Sequence, residues 1–329
     1  MLRIFRSNQL LLSVLLIGYA AFLRVAYFLT PIPDIPVESG LANHWVLAFV
    51  QGQSTLNFNI TILLLFTQAF LANKIFFENR LTRDLSLYPG VFLILVGSML
   101  PEFLNYSSFL PANIFLLLAI RELLKAYRKL STADTLFNVG FFIGIATLFQ
   151  PIYILFLIAA GGAVIKLKSG KFRDQFIMWA GALVPLFLIG TYYFFYDKLP
   201  EYWMLQWDQL ISLPQTFDWK QLPFPSIAIM LSLLLFVLLS AGKILSKTKM
   251  EVQIKIGTIY WFVVVAIVCL LLSQPWHSYR WQLLVPMLGL LLGISFTKAR
   301  PLPAEVWHFV LLIILFLFHF TQSFTVTVF

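Results

Sequence analysis

The side chains with chemistry to offer are few, and they gather in short segments between long apolar runs. One segment carries Asp34, Glu38 and His44, a second has Glu102 directly after Pro101, and a third reads Gln274-Pro275-Trp276-His277-Ser278-Tyr279-Arg280. A carboxylate can serve as general base toward a hydroxyl, and a guanidinium grips phosphate through paired hydrogen bonds. The set therefore suits a phosphate-bearing amphiphile, with Arg280 and His277 on the phosphate and a carboxylate as base. A solvated polar rim has the same composition, so the residues alone leave both readings open. Arg24, about two turns before Pro31, can either snorkel to the interface or hold an anionic lipid or phosphate.

Other chemistries are disfavoured by what the sequence lacks. It contains no G-x-x-x-x-G-K-[ST], G-x-G-x-x-G, G-x-S-x-G or H-E-x-x-H, so nucleotide-driven and Rossmann-type reactions are not expected. Cys269 is the sole cysteine and lies in an apolar run, which leaves no internal disulfide and no Cys-based metal site. His308 and His319 share a helix face but stand about 16 Å apart, too far for one metal. No cofactor is expected; a divalent cation is compatible with the sequence but not indicated by it.

The elements that must position these residues are membrane helices. Of 329 residues, 60% are hydrophobic and 11% charged, with mean hydropathy +0.88. An ordinary soluble domain carries about 25% charge, so this composition cannot cover a globular surface. Apolar stretches long enough for about 30 Å of hydrocarbon are read around 9–30, 57–77, 87–105, 174–196, 225–243, 255–272, 281–297 and 305–322. The stretches 108–124 and 133–165 are ambiguous by length alone. Charge settles them.

The net charge of +9 would suggest nucleic acid in a soluble protein, but in a membrane protein it is read by side. Nineteen of the 23 lysines and arginines fall in six clusters: Arg3/Arg6, Lys74/Arg80/Arg83, Arg121/Lys125/Arg128/Lys129, Lys166/Lys168/Lys171/Arg173, Lys243/Lys247/Lys249/Lys255 and Lys298/Arg300. If every cluster is cytoplasmic, an even number of spans separates neighbours. Then 108–124 is a span and 133–165 a hairpin turning at Gln150-Pro151. The expectation is an all-α polytopic protein, residues 1–329 in one transmembrane domain of about eleven helices. Its N-terminus is cytoplasmic, on an uncleaved first helix, and its C-terminus is periplasmic. Six of nine tryptophans then lie in or beside the outer loops, as an aromatic belt requires. Amphipathic helices near 39–51 and 200–213 are expected along that outer surface.

The run Leu110-Pro111-Ala112-Asn113, followed by Asp134 to Pro151 with its Gly140-x-x-x-Gly144-x-Ala146 core, resembles the third-to-sixth-helix region of GT-C-type membrane glycosyltransferases. The chain as a whole is similar to a multi-pass inner-membrane family common in Bacteroidota that is GT-C-like in layout. The resemblance covers residues 9–200 better than the rest, and small-xxx-small spacing is a general helix-packing device. It implies a GT-C-like bundle in a bacterial inner membrane, with Asp34 or Glu38 as catalytic base and Arg280 or Arg24 on a lipid-linked phosphate. Where the family carries an acidic stretch before its second helix, Gly52-Gln53-Ser54-Thr55-Leu56-Asn57 has none.

Two functions follow. One is transfer of a sugar or related group from a polyprenyl-phosphate donor at the outer face. The other is a non-catalytic GT-C-like subunit binding lipid or partner membrane proteins in an envelope complex. The expected partners are membrane lipids, polyprenyl phosphate among them, and not nucleic acid. The topology is directly testable. Cysteines introduced at Ser212 and Thr327 should react with an impermeant thiol reagent in intact cells whose outer membrane is permeabilised. Reaction only after inner-membrane lysis would overturn the orientation.

Overall fold

The computed structural model describes residues 5, 10–28, 40–50, 52–82, 84, 86–127, 132–168, 171–211, 224–246, 248–272 and 277–327. Among these, every regular element is a helix. In chain order they are α1 (Leu10–Leu23), α2 (Leu41–Val50), α3 (Ser54–Glu78), α4 (Tyr88–Val96), α5 (Phe109–Lys125), α6 (Ala133–Phe149) and α7 (Phe156–Lys168). Then follow α8 (Phe172–Phe195), α9 (Leu199–Ile211), α10 (Phe224–Ser246), α11 (Met250–Leu272), α12 (Val285–Lys298) and α13 (Pro301–Thr327). Short 3₁₀ turns at Val25–Phe28, Pro101–Leu104, Pro151–Leu155 and Ser278–Leu284 join or extend them.

Six segments are long and apolar enough to cross a membrane: Ser54–Glu78, Phe172–Phe195, Phe224–Ser246, Met250–Leu272, Ser278–Lys298 and Pro301–Thr321. The other expected spans coincide with shorter helices. The hairpin within 133–165 turns at Gln150, which is extended (φ −145°, ψ 110°) before Pro151 opens the next turn. That is the backbone a residue preceding proline favours. The two loop helices are α2 and α9, and they pack on each other. Gly40 N–H donates to Leu205 O (2.9 Å) and Leu41 N–H to Gln206 Oε1 (3.2 Å). Gln206 Nε2 in turn donates to Thr147 O (2.6 Å), tying both to α6. Gly40 has φ +127°, and a Cβ there would run into the Phe149 carbonyl. Only glycine fits that crossing.

At the centre stands α4, apolar on every side and buried at every residue. A helix without a polar face belongs in an interior. With nine residues it spans only about 14 Å, so its polar ends are buried too. Asn73 Oδ1 accepts from Gly90 N–H (2.8 Å) near its start. Beyond its end, Arg24 Nη2 donates to the carbonyls of Gly97 (3.0 Å) and Phe103 (2.9 Å), and Nη1 to that of Leu104 (3.2 Å). Nε reaches Ser98 Oγ (3.4 Å), while His319 Nε2 on α13 donates to Ser98 O (2.9 Å).

Two helix pairs approach closely enough to exclude a β-carbon. On α6, Gly140 and Gly144 lie against the carbonyls of Met178 and Ala182 of α8, and Gly181 answers against Phe137 O. On α12, Gly289 and Gly293 lie against the backbone of Leu93 and Pro89 in α4. Between apolar helices in lipid, such close backbone contact supplies the dispersion energy that a hydrophobic effect cannot. Cys269 is fully buried on α11.

The bundle has two distinct ends. Basic segments far apart in sequence meet at one of them: Arg121 pairs bidentately with Glu78 (2.7 and 2.6 Å), and Lys298 Nζ donates to Ile244 O (2.9 Å). The other end carries the Pro101–Leu104, Pro151–Leu155 and Ser278–Leu284 turns with α2 and α9. Replacing Gly140 or Gly293 with leucine should lower stability by about 1–3 kcal/mol or more through overpacking. Gly242→Leu, where no atom lies within 4 Å of the new Cβ, should leave it unchanged. Thermal unfolding midpoints in detergent read both; equal midpoints for all three would remove the close-packing argument.

Candidate functional site

The chemistry-bearing side chains of the turn-rich end rest on a buried polar scaffold. Asn113, early in α5, donates to Gln282 O (2.9 Å) and accepts from the Tyr153 hydroxyl (2.6 Å). Ser107 donates to Gln282 Oε1, and Ser108 to Gln150 Oε1 (3.4 Å). Asn57 of α3 bonds Asn105 (3.3 Å) and accepts from Tyr106 N–H (2.9 Å). Three irregular connections are thereby fastened to α3 and α5 by amide and hydroxyl groups. Non-helical backbone inside a bundle needs such partners, because hydrocarbon supplies none.

On this scaffold the Ser278–Leu284 turn presents Arg280 and Trp281, with His277 just before it. The three side chains border an apolar groove of about 200 Å³. Ile227, Leu231 and Leu234 of α10 form one wall, and Ile267, Leu270 and Leu271 of α11 the other. Leu231 and Leu271 are about half exposed, so the groove opens sideways on the bundle surface. The His277 ring stacks on Tyr279 (centroids 5.4 Å apart), and Tyr279 leans on Phe109 (6.3 Å), which fixes the imidazole. Burial, and then the neighbouring Arg280 charge, hold His277 below the usual histidine pKa. An anion beside it would oppose both effects.

The apolar stretch 281–297 predicts a helix beginning near Trp281, which would put Arg280 just ahead of its free N–H groups. The structure corrects this. Residues 278–284 form a 3₁₀ turn in which Arg280 N–H is already bonded to His277 O (3.2 Å), and α12 starts at Val285. Pro286 sets that start, since its missing N–H is harmless only in a helix's first turn. The guanidinium and imidazole, not backbone N–H groups, are what this site offers.

Arg24 also differs from expectation. It neither snorkels nor faces a ligand: it is fully buried, with its donors on three carbonyls and one hydroxyl. Glu102 sits half-buried in the Pro101–Leu104 turn, which packs on the turn bearing Arg280, and its Oε2 is buried with no hydrogen-bond partner. His44 is exposed on α2. Asp34 and Glu38 lie outside the described residues. His308 bonds the Tyr19 hydroxyl (2.9 Å), so the two helix-sharing histidines serve separate partners. Among the described residues no three His, Cys, Asp or Glu side chains form a group able to hold a metal.

Asn113, Tyr153, Ser107 and Gln282 are absent from the sequence-derived site. Neutral amides and hydroxyls in apolar runs carry no charge signal, and only Asn113 stood out, as part of the Leu110-Pro111-Ala112-Asn113 run. In comparisons with protein-family models, with curated proteins and with solved structures, the chain matches none.

If Arg24 is an internal clamp, Arg24→Gln should leave buried carbonyls without donors and lose about 3 kcal/mol or more of stability. Arg24→Lys should recover part, since it keeps the charge but not the planar fork. Unfolding midpoints of the two variants in detergent test this. A stable Arg24→Gln protein with altered lipid content would return Arg24 to the list of phosphate ligands.

Proposed function

We propose that this chain is a polytopic inner-membrane protein that binds the phosphate group of a long-chain lipid at its turn-rich end. The observation that carries the reading is the position of Arg280 and His277 at the mouth of a sideways-opening apolar groove. A guanidinium at the rim suits the phosphate, and the aliphatic walls of α10 and α11 suit the first part of its chain. In this reading the chain crosses the membrane eleven times, with α4 and the Pro101–Leu104 turn sharing one crossing, the basic end is cytoplasmic, and the groove lies on the outer leaflet in a GT-C-like layout. The ligand class is polyprenyl phosphate or phospholipid.

Size favours binding over transfer. Sites that enclose a whole small molecule occupy about 300–1,000 Å³; this groove holds about 200 Å³. It can seat part of a chain but not a sugar beside it. The transferase reading keeps one supporting observation, the Glu102 carboxylate oxygen buried without a partner on the turn packed against that of Arg280. In that reading Glu102 joins Asp34 and Glu38 as a candidate base.

Charged hydrogen bonds contribute about 1.5–3 kcal/mol, which is roughly tenfold or more in affinity. Arg280→Gln should therefore weaken polyprenyl phosphate binding about tenfold or more, and Arg280→Lys by less. Native mass spectrometry of the purified protein with polyprenyl phosphate, against polyprenol as control, reads this directly. Burial and the Arg280 charge disfavour the protonated form of His277, and an adjacent phosphate stabilises it. Binding should thus tighten as pH falls toward the ordinary histidine range, and His277→Ala should flatten that dependence. Equal binding by original and Arg280→Gln proteins would sink the proposal.

A further inference from the structure

A large cleft lies at the opposite end, where the sequence suggested only topology. It measures about 1670 Å³ and is enclosed by the end of α3 and its following turn, the far part of α10, the start of α11 and the end of α12. Five cations and three carboxylates line it. Two of the carboxylates are neutralised, Glu78 by Arg121 and Glu251 by Lys255 (2.8 Å), and the third is Asp84, on the turn after α3. Among the described residues Arg80, Lys249 and Arg300 have no carboxylate partner, and all three are exposed on its rim. Lys298 gives one of its donors to Ile244 O and keeps two.

Arg80 is notable for its backbone. Leu81 N–H bonds Phe76 O (3.3 Å) and Arg80 N–H bonds Phe77 O (3.2 Å), the paired bonds of a Schellman helix end. Arg80 occupies the left-handed position of that motif, φ +46°, where glycine is favoured. A bulky residue held there is strained, and strain that persists beside a cavity points to a task for the side chain. Here it sets a guanidinium on the cavity wall.

The wall facing these cations is apolar. Phe236, Leu239 and Ile244 of α10 line it, and Leu239 is 81% exposed, so the cavity runs out onto the side of the bundle. A free anion needs no such wall, and an acidic peptide or a nucleic acid would meet an open hydrocarbon surface. A head of negative charge joined to an alkyl chain matches both surfaces.

We propose that the cleft bounded by Arg80, Lys249, Lys298 and Arg300 binds the phosphate-bearing head of an anionic amphiphile whose chain lies along Phe236 and Leu239. The site is separate from the Arg280 groove and does not depend on it. The test uses the full chain in detergent on an Arg280→Gln background, which weakens binding at the groove. Native mass spectrometry follows binding of dioleoyl phosphatidic acid, with dioleoyl phosphatidylcholine as the zwitterionic control and glycerol phosphate as a soluble competitor.

Phosphatidic acid should bind at least about tenfold more tightly than phosphatidylcholine, as charge-assisted hydrogen bonds predict. The Arg80→Gly, Lys249→Gln, Arg300→Gln triple variant should lose that preference, and Leu239→Glu should weaken phosphatidic acid binding. Arg80→Gly alone should unfold at the same or a higher temperature while binding phosphatidic acid less tightly, separating the role of the side chain from folding. Equal binding of the two lipids, an unchanged preference in the triple variant, or unchanged binding in Arg80→Gly would overturn the proposal. Displacement by glycerol phosphate at concentrations equal to the lipid would also overturn it, by showing a site for free phosphate.

Discussion

The arrangement of the bundle depends on how one broken helix is closed. Because α4 stops after nine residues inside an apolar interior, the carbonyls beyond Val96 have neither a next helical turn nor water to bond. Arg24 gathers those of Gly97, Phe103 and Leu104 under one guanidinium, and His319 takes Ser98 O. A cation is well placed there, since the carbonyl end of a helix carries partial negative charge. The clamp joins α1, α4, the Pro101–Leu104 turn and α13 at one point. With that point fixed, α4 can present Pro89 and Leu93 to the glycine face of α12, and the turn that carries Glu102 can rest on the turn that carries Arg280.

Much of the helical plan is legible in the sequence, for identifiable reasons. Hydropathy alone finds the long helices, since few polar residues interrupt them. Gln150-Pro151 reads as a turn because proline restricts the residue before it. Members of three of the six basic clusters converge: Arg80, Lys249, Lys255, Lys298 and Arg300 line one cleft. The features that escape are tertiary. Arg24 near a run of prolines looks like an interfacial anchor, and only the three-dimensional position of the α4 carbonyls makes it an interior clamp. The amides of Asn113 and Gln282 are invisible for the same reason. Nothing local in Ser278-Tyr279-Arg280-Trp281 announces a 3₁₀ turn, although Pro286 marks where the helix can begin. Arg80 in a left-handed conformation runs against its own propensity, which sequence reasoning cannot anticipate.

The Gly140-x-x-x-Gly144 pattern illustrates how a motif can be read at two levels. Its spacing resembles a helix of membrane glycosyltransferases, yet its physical work in this chain is to let α6 and α8 touch backbone to backbone. That work is required of any tightly paired membrane helices, whatever reaction they support, so the packing neither favours nor opposes catalysis.

One helix borders both candidate sites. Ile227, Leu231 and Leu234 of α10 wall the groove near Arg280, and Phe236, Leu239 and Ile244 wall the cleft near Arg80. Only 28% of the most apolar stretch of α10 is buried, against 83% for the segment containing α12. The least anchored of these walls is therefore the one the two sites share. Thermodynamic reciprocity then constrains them: if a ligand at one end shifts α10 and changes affinity at the other by some factor, the second ligand must change affinity for the first by that same factor. If both sites bind as proposed, occupancy at one end of α10 becomes a variable of the other.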